Sequence, residues 1–109
     1  MNIDIGKIAG EMLGAALPKL TSGGEKAKDF AEAEMTKIAK RIAEIGEKFA
    51  EGKLSEADAK ALLEMQVEST KIVLLTVEGL TIITIEAAIN AAMDVVKRTV
   101  NTALGFGLI

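Results

Sequence analysis

The chain lacks the residue types on which many catalytic and metal sites depend. Its 109 residues include no cysteine, histidine, tryptophan or tyrosine. Without cysteine there is no disulfide, no thiolate nucleophile and no thiolate metal ligand. Without histidine, the commonest general base and metal ligand near neutral pH is missing. We therefore expect no catalytic residues, no metal and no cofactor, and predict that the protein is not an enzyme.

Few residues interrupt or stiffen the backbone. There is one proline, aromatic residues make up 3% of the chain, and hydrophobic residues make up 50%. Alanine, isoleucine, leucine, glutamate and lysine dominate, which is typical of long helices rather than sheets. A chain of this length has room for one hydrophobic core. The composition predicts a single all-α domain over residues 1–109.

Charge is nearly balanced, with 13 basic and 16 acidic side chains. The acidic excess lies in residues 55–109, which hold seven acidic and four basic residues. No run of lysine and arginine exceeds two residues, so we expect no nucleic-acid partner. Asp4 precedes Lys7 and Glu11 interrupts the apolar residues that follow, which is not the order of a signal peptide. The expected location is the cytoplasm.

A first helix is predicted at about residues 5–17. Asp4 or Asn2 is placed to cap its start, and Pro18 follows its end. Three- and four-residue spacings along the segment indicate one apolar face, made of Ile5, Ile8, Ala9, Met12, Leu13, Ala16 and Leu17.

Glycines repeat every four residues along one edge of this first helix, at Gly6, Gly10 and Gly14. Each lowers helix propensity by about 1 kcal/mol relative to alanine. Their register predicts that another backbone approaches closely; the alternative is a frayed, flexible helix. The expected counterpart is a patch of small residues near the C-terminus, at Ala87, Ala88, Ala91 and Ala92.

A second helix is predicted at about residues 24–51. Ser22 and Glu25 have the spacing of a capping box, in which each side chain bonds the other residue's amide. Apolar residues then alternate spacings of three and four, as in a coiled-coil seam; they are Met35, Ile38, Ile42, Ile45 and Phe49.

A tight turn separates the second and third helices. Gly52 is suited to the left-handed conformation that ends a helix. Ser55 and Asp58 have the spacing of a cap for the next one. Because the connection is so short, the two helices must be antiparallel neighbours. The sequence predicts a helical hairpin.

The third helix is predicted to run from 55 to about 104, because only Gly79 interrupts it. A helix of about 50 residues is about 75 Å long, whereas the second reaches only about 40 Å. The upper half, residues 83–104, would then need the first helix and a further chain to cover it. The predicted fold is an antiparallel hairpin with this long helix and a short N-terminal helix, packed as an oligomeric bundle. The alternative is a sharp kink at Gly79 that folds the chain into a compact four-helix monomer.

From this geometry we predict a non-enzymatic scaffold or interaction module that self-associates as a homo-dimer or larger homo-oligomer. Another helical protein is a second possible partner. The predicted interface combines the first helix's glycine edge, the upper long helix and the C-terminal tail: Gly6, Gly10, Gly14, Leu80, Ile83, Ala87, Ala91, Val95 and Phe106.

Two glutamates, Glu78 and Glu86, lie in the most apolar part of the third helix. One interpretation places them on a narrow strip that reaches solvent or pairs with lysines of the second helix. The other is a buried acidic pair that fixes the register between subunits, or lines a pore if the chain lies in a membrane. Such a pair requires partners because buried charge is costly.

Residues 72–93 are also long enough to cross a bilayer, so a membrane-associated oligomer is the alternative function. Glu78 and Glu86 would cost about 2.5–3.5 kcal/mol each near the centre of such a span. The chain also has no tryptophan or tyrosine to anchor a span at the interface. The apolar tail, residues 105–109, is predicted to dock in a groove or on a neighbouring subunit, with a disordered tail as the alternative.

Overall fold

The computed structural model describes residues 3–109, and within that range the chain forms four α-helices and no strand. These are α1 (Ile5–Ala16), α2 (Gly24–Ala50), α3 (Glu56–Leu75) and α4 (Ile82–Leu104). Two short 3-10 turns, Leu17–Lys19 and Thr21–Gly23, connect α1 to α2. The all-α prediction is confirmed.

The start of α1 agrees with its sequence signal. The Asp4 carboxylate accepts a hydrogen bond from the Lys7 amide at 3.0 Å. Asn2, the other predicted cap, lies outside the described residues. Ile8, Met12 and Ala16 are buried, so the predicted apolar face does point into the core.

The predicted capping box at the start of α2 is wrong. Ser22 lies in the 3-10 turn Thr21–Gly23, one residue before the N-cap position. Gly23 occupies the N-cap position, and no side chain caps the start of α2 there. Gly24 has a φ of 64°, which turns the chain into the helix without a cap. The Ser22 backbone is instead packed against the distant turn around Gly79.

The hairpin between α2 and α3 forms as predicted. Gly52 adopts a φ of 74°, and the Lys53 amide donates to the Lys48 carbonyl at 2.9 Å, which closes the end of α2. The Ser55 hydroxyl accepts from the Asp58 amide at 3.0 Å, and the Ser55 amide donates to the Asp58 carboxylate at 3.3 Å. Both helix ends are therefore fixed by local sequence.

The predicted continuous helix over residues 55–104 is wrong, and the chain follows the alternative of a break at Gly79. α3 ends at Leu75 and α4 begins at Ile82. Gly79 has a φ of 93°, and a Cβ atom at this position would overlap the Ser22 carbonyl oxygen. Both the positive φ and the close approach require glycine. A tertiary contact therefore determines where this segment turns.

Hydrogen bonds between residues three apart in sequence stabilise the break. The Val77 amide donates to the Leu74 carbonyl at 3.1 Å, and the Leu80 amide to the Val77 carbonyl at 3.2 Å. Thr81 and Thr84 then form a reciprocal cap: the Thr84 amide donates to the Thr81 hydroxyl at 3.3 Å, and the Thr81 amide to the Thr84 hydroxyl at 3.0 Å. Val77 and Leu80 are buried, so the turn is part of the core.

Two contacts define the direction of α4. Its start lies beside the start of α2, because Gly79 touches Ser22. Its end lies beside the end of α2, because the Phe49 and Phe106 rings are 4.4 Å apart between centroids. α4 therefore runs parallel to α2, and α1 and α3 run antiparallel to it. α1 and α3 each pack against both α2 and α4, as in an up-down-up-down four-helix bundle.

This arrangement covers the upper half of the predicted long helix within a single chain. The radius of gyration is 13.6 Å, close to the roughly 13 Å expected of a compact domain of this length. Buried apolar residues of all four helices form one cluster, to which α4 contributes Ile85, Ala88, Ile89, Ala92, Val96, Val100 and Leu104.

Residues 72–93 are divided between α3 and α4 rather than forming one span. Across residues 3–109, none of the helices combines the length and the apolar character needed to cross a bilayer.

The C-terminal tail, residues 105–109, packs against its own chain. Phe106 packs against Phe49 of α2, and Leu108 is buried. The Asn101 side chain closes the end of the tail, since its Nδ2 donates to the Ile109 carbonyl at 3.3 Å and its Oδ1 accepts from the Ile109 amide at 3.1 Å.

A proline substitution at Ile82 tests the break. Ile82 is the first residue of α4, where proline is favoured, and Thr81 before it is extended, with a φ of -114° and a ψ of 162°. We expect Ile82→Pro to change the free energy of unfolding by less than about 1 kcal/mol. Asn90→Pro, at an exposed position inside α4, should cost about 3 kcal/mol or more. Urea denaturation measures both, and an equal loss for the two variants would contradict the break.

Candidate functional site

The strongest candidate for a functional site is a group of exposed apolar side chains on α3 and at the start of α4. Met65 is 68% exposed, Ile72 67% and Ile83 78%, and Leu75 and Ile82 are also exposed. Leu75 ends α3 and Ile82 begins α4, so both lie at the end of the bundle that holds the 76–81 turn. We call these five residues the apolar surface.

The sequence of α3 explains why it presents apolar side chains outward. Leu63, Thr70 and Leu74 face the core. Met65 and Ile72, seven residues apart, share the opposite side of the helix. A shallow groove of about 590 Å³ follows that side, lined by Ala61, Glu64, Met65, Glu68, Ser69, Ile72 and Val73. α3 therefore has two apolar sides, of which the fold buries one.

The predicted interface residues on α4 and the tail divide into two groups. Leu80 is buried and Phe106 packs on Phe49, so both serve the fold of a single chain. Ile83 and Val95 are exposed and their neighbours on α4, Ala87 and Ala91, are half-buried, so these four remain accessible. Only Ile83 belongs to the apolar surface. Sequence reasoning missed Met65 and Ile72, although their seven-residue spacing marks one side of a helix.

The glycine edge of α1 does not meet another backbone within the described range, residues 3–109. Gly6, Gly10 and Gly14 are exposed, and a Cβ atom at Gly10 or Gly14 would have no neighbour within 4 Å. α1 does pack against α4, as expected, but with the side that holds Ile8 and Met12. The predicted pairing of the glycine edge with the alanines of α4 is therefore wrong.

Alanine substitutions test this placement. Because Gly10 is helical and unobstructed, Gly10→Ala should raise the free energy of unfolding by about 1 kcal/mol. Gly52→Ala should lower it by a similar amount, because Gly52 has a positive φ. Urea denaturation gives both values. A destabilised Gly10→Ala variant would show that another backbone does contact this edge.

Glu78 and Glu86 are exposed within one chain, in the turn and on α4 respectively. In the range 3–109, neither carboxylate takes part in an ion pair. A buried acidic pair is thus wrong for the single chain, and the solvent-facing interpretation describes both residues. Their role in the register between copies stays a prediction.

One buried polar contact was not foreseen from the sequence. Glu34 on α2 is 2% exposed, and its carboxylate accepts from the Thr70 hydroxyl of α3 at 3.1 Å and from the Lys37 ammonium at 2.9 Å. The signal was available, because Glu34 lies three residues after Ala31 and four before Ile38 on the buried side of α2. This contact ties α2 to α3 and, with its oxygens satisfied, offers no free group for chemistry.

A double-mutant cycle measures the contact. Thr70→Val should cost about 1–3 kcal/mol of unfolding free energy, because it removes a donor from a buried carboxylate. In the Glu34→Leu background, the same substitution should cost much less. Thr36→Val, at a hydroxyl that bonds the Glu32 carbonyl of its own helix, is the control. Equal costs in both backgrounds would contradict the coupling.

Charged side chains occupy much of the rest of the described surface. Across residues 3–109, no three carboxylates gather closely enough to hold a metal ion. The remaining ion pairs are between residues close in sequence, such as Arg41 with Glu44 at 2.9 Å and Lys71 with Glu68 at 3.2 Å. Such pairs on exposed helix faces contribute little to stability.

Neither a protein-family model, nor a curated protein, nor a solved structure matches the chain. The apolar surface and the fold that presents it are therefore the features that bear on its function.

Proposed function

We propose that the protein is a non-enzymatic helical module that associates with a second copy of itself through the apolar surface. One observation carries this proposal. The chain buries many of its large apolar side chains in one core, but those of the apolar surface stay exposed: Met65, Ile72, Leu75, Ile82 and Ile83.

The concentration of these side chains supports an interface. Single exposed apolar residues are common on soluble proteins, but grouped ones mark sites where another molecule binds. Across residues 3–109, five of the six exposed large apolar side chains belong to α3 and the first turn of α4; the sixth, Val95, lies further along α4. Fully burying one such side chain is favourable by about 1.5–3 kcal/mol, so covering several would stabilise a complex substantially.

The charges beside the groove favour a partner with a similar surface. Glu64 and Glu68 line it, and Lys71 bonds Glu68 from the same helix. A surface with both signs of charge can meet its own copy across a twofold axis, where each residue of one chain faces a different residue of the other. A strongly basic or acidic border would instead favour a partner of opposite charge.

The composition supports a role in association rather than catalysis. The chain has no histidine or cysteine, and the buried carboxylate of Glu34 is occupied by Thr70 and Lys37. Another helical protein with an apolar face is the second candidate partner, because the exposed side of α3 would fit a helix laid along its groove.

Charge substitutions in the apolar surface test the proposal. Ile72→Glu with Ile83→Glu should weaken dimerisation by about ten-thousandfold or more, since a dimer loses four isoleucines that each contribute at least about 1.5 kcal/mol, and 1.4 kcal/mol is tenfold. Sedimentation velocity over a dilution series measures the dissociation constant. Because both side chains are largely exposed, the free energy of unfolding of the monomer should change by no more than about 0.5 kcal/mol.

Ala33→Glu is the matched control, because Ala33 is exposed on α2, away from the apolar surface. This control should associate like the unmodified chain. An unmodified chain that stays monomeric up to millimolar concentration would contradict self-association. Equal weakening by Ala33→Glu would contradict the assignment of the interface.

A further inference from the structure

The turn at residues 76–81 depends on contacts with the rest of the fold. Between Ser55 and Gly105 the sequence contains no proline and only one glycine, Gly79. The turn is held by the approach of Gly79 to Ser22 and by the burial of Val77 and Leu80. The Thr81–Thr84 cap is its main local support. If α4 left its place, little in the sequence would prevent α3 and α4 from joining.

The buried sides of α3 and α4 would be continuous along such a joined helix. At an advance of about 100° per residue, the buried residues of α3 and those of α4 as far as Val100 all fall within about 140° of the circumference. They are Ala59, Leu63, Thr70 and Leu74, followed by Ile85, Ala88, Ile89, Ala92, Val96 and Val100. One straight helix could therefore pack α3 on its own chain and α4 on a neighbouring chain, using the same side.

We propose that two copies of the chain exchange α4 by straightening residues 76–81. In the exchanged dimer each α4 occupies, on the partner, the place beside α1, α2 and α3 that it occupies in the single chain. The contacts of α4 are then re-formed between chains, as in other exchanges of identical elements. The new cost is local: the burial of Leu80 and the Thr81 cap are given up, while the turn residues gain helical hydrogen bonds.

The exchange goes beyond the proposed function because it does not use the apolar surface. Ile72 and Ile83 would fall on the side of the joined helix opposite the buried residues. Ile72→Glu with Ile83→Glu should therefore abolish association through the surface and leave the exchange intact. This double variant is the background in which the exchange is measured.

The contact between Phe49 and Phe106 reports which chain α4 packs on. Phe106 follows α4 and lies against the end of α2, with ring centroids 4.4 Å apart. The chain has no cysteine of its own, so Phe49→Cys can be placed on one chain and Phe106→Cys on another. The two are unfolded together, refolded as a concentrated mixture and treated with a short bismaleimide. Covalent heterodimers on a denaturing gel then report exchange, since unexchanged chains keep the two positions apart.

Two substitutions in or beside the turn should change the amount of cross-linked heterodimer in opposite directions. Gly79→Ala introduces a Cβ atom that overlaps the Ser22 carbonyl in the single chain, and alanine favours the joined helix by about fivefold per chain. The dimerisation constant should rise by about twenty-fivefold or more. Ile82→Pro keeps the break and prevents the joined helix, so cross-linked heterodimer should be lost. Ile82→Ala removes the same side chain without proline and should retain it.

Cross-linked heterodimer that increases with Gly79→Ala and disappears with Ile82→Pro supports the exchange. Folded Gly79→Ala chains that give no cross-linked heterodimer, whether dimeric or monomeric, would overturn the exchange. Because this background already lacks association through the apolar surface, that outcome leaves the proposed function standing. If Gly79→Ala does not fold, the test is made on chains that retain Gly79. Cross-linked heterodimer that is lost with Ile82→Pro then supports the exchange, and no cross-linked heterodimer overturns it.

Discussion

The close approach of two backbone turns, at Ser22 and at Gly79, is the constraint on which the rest of the structure depends. No side chain fits at position 79, and only glycine adopts its φ of 93° without strain. This contact brings the link between α1 and α2 against the link between α3 and α4. Because of it, α4 turns back along α2 instead of continuing past the end of the hairpin, and one chain covers an apolar segment that a straight helix would expose.

Because α4 folds back, the apolar side chains that a partner could cover lie in a different part of the molecule from the one predicted. The upper half of the 55–104 segment is buried by α1, α2 and α3, so it no longer requires a second chain. Most of the large apolar side chains that stay exposed lie on the outer side of α3 and in the first turn of α4. The proposed association therefore rests on the apolar surface, and it involves a folded module rather than an incomplete one.

Local signals predicted three of the helix ends that local contacts determine, although the Ser22–Glu25 signal was wrong and the Thr81–Thr84 cap was not predicted. Asp4 caps α1, Gly52 ends α2, and Ser55 with Asp58 begins α3, each through bonds between residues close in sequence. The break at Gly79 was the less favoured alternative, because its cause is a contact with Ser22, 57 residues earlier. The prediction of a continuous helix also placed the interface incorrectly. Because the upper half of that helix would have been uncovered, Ile83 was predicted to lie in the interface and Met65 and Ile72 were not.

The compactness of the single chain tests the account most directly. Small-angle X-ray scattering, extrapolated to zero concentration, gives the radius of gyration without an assumption about association. The folded-back chain predicts a value of about 14 Å, in line with the 13.6 Å of the Cα atoms. A markedly larger radius, with a maximum dimension approaching the roughly 75 Å of an unbroken 50-residue helix, would contradict it.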